Sequence, residues 1–133
     1  MVFNGEKFES LRYWPGKETP SEPYLDPQGN PIEEKSHLRD LGVEIGNDCN
    51  FNVHIENTIS AANKQVGWAL RSFSRRSKFV MLTLWKTIIQ PKLDYYSVLW
   101  SPNNQGSIAQ LESVARNFTS QIAELDNLDY RSR

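Results

Sequence analysis

The sequence predicts an α+β fold: a small antiparallel β-sheet with hairpins over about residues 1–48, then a three-helix bundle over about residues 52–125. Three observations carry that prediction. Turn residues crowd the first third of the chain. From about Asn52 the apolar residues recur at three- and four-residue steps, the period of a helix face. The charge changes sign at nearly the same place: nine acidic and three basic residues lie between Lys17 and Glu56, whereas Asn57–Leu93 holds seven basic residues and no acid. These changes divide the chain into a region 1–48 and a helical region 49–133.

In the first region, Asn4–Gly5 is a two-residue hairpin signal between Met1–Phe3 and Lys7–Tyr13. Pro15–Gly16 and Pro20–Pro23 break the chain into a loop. The Asp26–Pro31 turn cluster separates Tyr24–Leu25 from a strand around Ile32–Glu34. A further strand at about Leu38–Ile45 ends at Gly46–Asn47–Asp48 and contains Leu41, Gly42 and Val43.

In the second region, Ile55, Ile59, Ala62, Val66, Leu70 and Phe73 form the apolar stripe of a long first helix. A second helix starts near Ser77 and buries Val80, Met81, Leu84, Trp85 and Ile88. Pro91, which has no backbone donor, is expected to end or kink it, and Leu93–Trp100 to continue as a short helical piece. Ser107 and Gln110 have capping-box spacing for a third helix, with a stripe of Ile108, Leu111, Ala115, Phe118, Ile122 and Leu125.

Across its 133 residues the chain has a net charge of −1, which conceals the basic span. Lys64, Arg71, Arg75, Arg76, Lys78, Lys86 and Lys92 gather on one helical pair, an arrangement suited to a phosphate backbone more than to a small substrate. A structural account of the arginines also exists, since cations at a helix C-terminus favour the helix dipole. Cys49 is the single cysteine, which excludes an intrachain disulfide and a thiolate zinc site. His37 and His54 are too isolated to form a metal site, and Trp85 and Trp100 read as core. With no secretory signal and no apolar run of membrane length, the expected location is intracellular, in cytoplasm or nucleus, without membrane contact.

The order of His37–Asp48, Gly67–Arg71, Met81–Leu84, Pro91–Tyr95, Leu99–Pro102 and Arg116–Thr119 resembles that of the end of the palm and the thumb in reverse transcriptases of LINE-type (non-LTR) retrotransposons. His37–Asp48, with its Leu41–Gly42–Val43 core, resembles the last palm strands. His54–Ile55, Gly67–Trp68–Ala69–Leu70–Arg71 and Met81–Leu82–Thr83–Leu84 look like the first two thumb helices. Pro91–Lys92–Leu93–Asp94–Tyr95 with Leu99–Trp100–Ser101–Pro102 resembles the close of the second. Leu111–Glu112 and Arg116–Asn117–Phe118–Thr119 are similar to the third, Leu128–Asp129–Tyr130 to the segment after it, and Val2–Phe3–Asn4–Gly5 to a strand that follows the catalytic motifs.

The resemblance implies a thumb-like bundle that holds an RNA–DNA or DNA duplex by its backbone. Leu41, Gly42 and Val43 would lie in the hairpin that steadies the primer end, and Lys64, Arg71, Arg75, Arg76, Lys78 and Lys86 would face phosphates. Polymerases of this family use magnesium held by paired aspartates. The chain has no Asp–Asp pair, so it is expected to carry no catalytic residues, no metal site and no cofactor of its own. Its expected partners are the duplex and, through an exposed palm edge, the remainder of a polymerase or a second copy. The alternative is a helical protein-interaction module with no nucleic-acid role.

Overall fold

The computed structural model describes residues 8–13, 22–125 and 128–129. The fold is α+β, and the chain separates into two compact units, Met1–His54 and Ile55–Arg133.

The first unit holds two two-stranded ladders. Strand β1 (Ser10–Leu11) pairs with β2 (Glu34–Lys35), and β3 (His37–Asp40) pairs with β4 (Val43–Gly46). The expected antiparallel pairing describes β3–β4 but not β1–β2, which run parallel with Ser10 opposite Glu34 and Leu11 opposite Lys35. The intervening chain is long enough for the crossover that a parallel pair requires. Within it, Asp26 organises a tight turn. Its carboxylate accepts the backbone N–H groups of Gln28 (2.9 Å) and Asn30 (2.7 Å), and Asn30 Nδ2 donates to it at 3.0 Å. These bonds favour the ionised carboxyl and hold its pKa below the ordinary value. Ile32 N–H closes the turn on the Tyr24 carbonyl at 2.7 Å, so the strand expected around Ile32–Glu34 begins only at Glu34.

The strand expected over Leu38–Ile45 is a hairpin. Leu41 (φ 47°) and Gly42 (φ 88°) form its two-residue loop, and Asp40 pairs with Val43 across it. Two successive positive φ values give the turn the hand that matches strand twist, and Gly42 takes that conformation without a Cβ penalty. The Asn4–Gly5 hairpin and the Pro15–Gly16 loop lie outside the described residues.

The body of helix α1 (Asn52–Ser72) opens the second unit. Its core residues are Ala62, Val66 and Ala69, with Ile59 and Leu70 partly buried against the same cluster; Phe73 falls just past the helix and is exposed. Helix α2 (Lys78–Leu84) begins after Ser77, as the sequence predicts. It runs through a π-helical turn, Trp85–Ile89, into α3 (Gln90–Asp94).

That turn corrects two expectations. Gln90 N–H bonds to the Trp85 carbonyl five residues back, so one extra residue is accommodated in the turn. The fully buried position after Leu84 is therefore Ile89, and Ile88 is only partly buried. Pro91 follows at the first positions of α3 without ending the helical path, because the widened turn relieves the clash that proline makes in a regular α-helix. The break comes instead at Tyr96, in the left-handed region at φ 50°, before α4 (Ser97–Trp100). Trp100 is buried, and its indole N–H donates to the Tyr95 carbonyl at 2.8 Å.

Helix α5 (Gln105–Thr119) starts earlier than the capping-box spacing implies. Asn104 is the cap, its side chain accepting the Ser107 N–H at 2.7 Å, so Ser107 is the capped residue rather than the cap. Val114 and Phe118 are buried on its inner face, and Ile108 is exposed. The helix stops at Thr119, while Ile122 and Leu125 remain in the core from the turns that follow. Phe118 lies 5.4 Å from the Trp85 ring, joining α5 to the π turn. Among the described residues no helix is long and apolar enough to cross a membrane.

Candidate nucleic-acid interface

The basic residues occupy the end of α1, the link after it, and the helix that follows. Lys64 is exposed near the middle of α1, and Arg71 in its last turn. The Arg71 side chain lies back over Gly67, where an added Cβ would sit 3.3 Å from Nη1. Gly67 thus gives the guanidinium room along the helix surface, which accounts for this glycine inside a long helix despite its propensity cost. Arg75 is exposed in the link, and Lys78, Lys86 and Lys92 are exposed on α2, the π turn and α3.

Arg76 differs from the others. It is partly buried, its Nη1 donates to Gln121 Oε1 at 2.7 Å, and its carbonyl accepts the Ala123 N–H at 3.3 Å. Next to it the Lys78 N–H donates to Glu124 Oε1 at 3.2 Å. The segment after α5 therefore clasps the link between α1 and α2, with the Glu124 carboxylate supplying a partner for an otherwise orphan N–H at the start of α2. Gln121 and Glu124 do not appear among the sequence-predicted residues. They lie past the end of α5, where helical spacing gives no guide to their neighbours.

The electrostatic character of this surface comes from what the cations do not meet. Among the described residues the ion pairs are Arg12 with Glu34 at 3.2 Å, Lys35 with Glu9, and Arg116 with Glu112 at 3.9 Å. None of the seven cations between Asn57 and Leu93 is in an ion pair with another described residue. Apart from Arg76, whose guanidinium Gln121 holds, these cations can neutralise phosphates without first breaking an ion pair among the described residues. The surface also carries an aromatic that the sequence reading does not single out. Phe79, on the first turn of α2, is 81% exposed. Its place outside the stripe of Val80, Met81, Leu84 and Trp85 was the available signal. Trp68 is half-exposed at 48% and meets Phe73 edge-on at 6.2 Å.

In the first unit, the Leu41–Gly42 loop exposes Leu41 (74%) and turns Val43 inward (6%). Behind this hairpin His54 is buried, and its Nδ1 accepts the Glu44 backbone N–H at 3.3 Å. Burial lowers the pKa of His54 from its ordinary 6.5; the Glu44 charge opposes that shift, and the Arg39 charge adds to it. Among the described residues no three of His, Cys, Asp and Glu are grouped so as to hold a metal ion.

Comparison with known proteins gives no match to a family model, a curated protein or a solved structure.

Proposed function

We propose that the helical unit holds a nucleic-acid duplex by its sugar–phosphate backbone, as the thumb-like part of a LINE-type RNA-directed DNA polymerase. In this reading the chain supplies grip, and the polymerising carboxylates belong to another part of the enzyme. The observation that carries it is the set of seven cations, clear of every ion pair among the described residues, on helices with no acid between Asn57 and Leu93. Recognition through phosphates fixes register without reading base sequence. The order of the motifs from Leu41 to Phe118 supports the polymerase assignment, and the Leu41–Gly42–Val43 hairpin would steady the primer strand. A magnesium ion would belong to the polymerising part.

Binding of a labelled RNA–DNA hybrid, followed by fluorescence anisotropy over a salt series, tests the reading. The log of the affinity should fall linearly with log salt, by about 0.9 for each phosphate neutralised. The double variant Arg71→Ala/Arg75→Ala should bind more weakly, with a slope shallower by up to about two. Arg76 is left intact because its bond to Gln121 also supports the fold. No binding at low salt, or a slope the double variant leaves unchanged, would sink the assignment.

A second reading, a helical protein-interaction module, is favoured by one feature. Tyr95, Tyr96, Val98 and Leu99 are all exposed, Val98 at 99%, within five consecutive residues. Clustered apolar exposure of this kind favours association with another protein surface.

A further inference from the structure

We propose that Phe79 is an aromatic contact to nucleic acid, its ring meeting sugar and base while flanking lysines hold phosphates. The inference rests on the duplex-holding reading above and assigns a role that charge alone does not reach. Phe79 is the most exposed aromatic among the described residues. Thr83 and Lys86 follow at four and seven residues, on the same helix face, and both are exposed. Lys78 stands beside the ring in sequence.

The Thr83 hydroxyl donates to the Phe79 carbonyl at 2.9 Å, so that hydroxyl is already engaged and the face offers a ring and the Lys86 ammonium, with Lys78 on the adjoining side of the helix. At this end of α2 the Glu124 carboxylate accepts the Lys78 N–H. A ring bordered by lysines complements a partner that combines negative charge with flat apolar faces. Nucleic acid carries both: a duplex offers apolar sugar surface beside its phosphates, and unpaired bases offer π-faces on which ring stacking tolerates any base. An acidic protein surface would match the lysines, but it would have to supply its own apolar partner for the ring.

The test separates the ring from the charges. Phe79→Ala, Phe79→Trp and Lys86→Ala are compared in the full chain by anisotropy with an RNA–DNA hybrid and with a single strand of equal length. Phe79→Ala should weaken binding on the order of tenfold at every salt concentration, with the salt slope unchanged. Phe79→Trp should restore it, whereas Lys86→Ala should reduce the slope by about one. A loss confined to one probe identifies the form of nucleic acid the ring meets.

Wild-type affinity of Phe79→Ala for both probes would overturn the role of Phe79 and leave the duplex-holding reading standing. A changed slope in that variant would also overturn it, since the residue would then act through the phosphates. So would unchanged nucleic-acid binding accompanied by loss of self-association in sedimentation, which would give the ring to a second copy. Failure of the wild-type chain to bind either probe at low salt would remove both readings together.

Discussion

In the first unit Arg12 meets Glu34 beside the β1–β2 ladder and Lys35 meets Glu9, whereas in the second Lys64, Arg71, Arg75, Lys78, Lys86 and Lys92 have no ion pair among the described residues. The apolar residues divide the same way. The continuous buried cluster runs from Ala62 to Leu125, entirely within the helical unit, while the strands contribute Val43 alone to the buried hydrophobic residues. One unit thus uses polar bonds to organise a surface with little core, through the Asp26 turn, the paired cations and the His54–Glu44 bond. The other closes its own core and, apart from Arg76 and Arg116, leaves its cations without a side-chain bond to a described residue that would compete for a phosphate. Stability and charge are separable in the helices in a way they are not among the strands.

Core truncation sharpens that contrast most. Phe118→Ala empties a fully buried site beside Trp85 and should destabilise the helical unit by about 3–5 kcal/mol in urea unfolding. Val43→Ala should cost about 1.5 kcal/mol, the transfer of two methylene equivalents. Equal losses would break the contrast in core.

A smaller effect comes from the α5 cap. Asn104→Ala leaves the Ser107 N–H without its partner and should cost about 1 kcal/mol by the same measurement, while Ser107→Ala should cost less. The reverse order would restore Ser107 as the cap.

Acid provides the mildest probe, directed at the first unit. His54 binds its proton at lower pH when folded than the ordinary 6.5, so between those values the unfolded chain holds more protons. The contribution of His54 to stability is fully present above about 6.5 and declines as pH falls through the lowered value. Histidine NMR titration should place His54 below 6.5, and His54→Gln should remove this part of the pH dependence. A midpoint above 6.5 would contradict the burial of the imidazole.

The fold class, the start of α2 and the core roles of Trp85 and Trp100 were legible because periodicity records burial directly. Ile89 was not, since a π turn changes the period within a helix and leaves no local signature in Trp85–Ile89. The apolar pattern runs one strand through Leu38–Ile45, while the resemblance puts Leu41–Gly42–Val43 in a hairpin; the positive φ at two successive residues is a property of the closed loop that the pattern does not encode. The cations of the candidate interface were visible as a charge run. That Arg76 is held by Gln121 was hidden, because the contact crosses between elements far apart in sequence. Phe79 was visible only as an apolar residue off its stripe, a signal that becomes useful once its exposure is known.

The π turn has one more consequence, for the chain's tolerance to changes in length. By housing one surplus residue, Trp85–Ile89 sets the rotational phase of everything that follows on the same helical path. Deleting a single residue there would let the segment revert to ordinary α-helix with Gln90–Asp94 kept in phase with α2, whereas a deletion that no such turn absorbs would rotate everything after it by about 100°. Tyr95–Leu99 would then point in a new direction with every side chain chemically unchanged. The turn thus acts as a buffer for length: losing its surplus residue leaves the presented surface in place, and the same loss in regular helix does not.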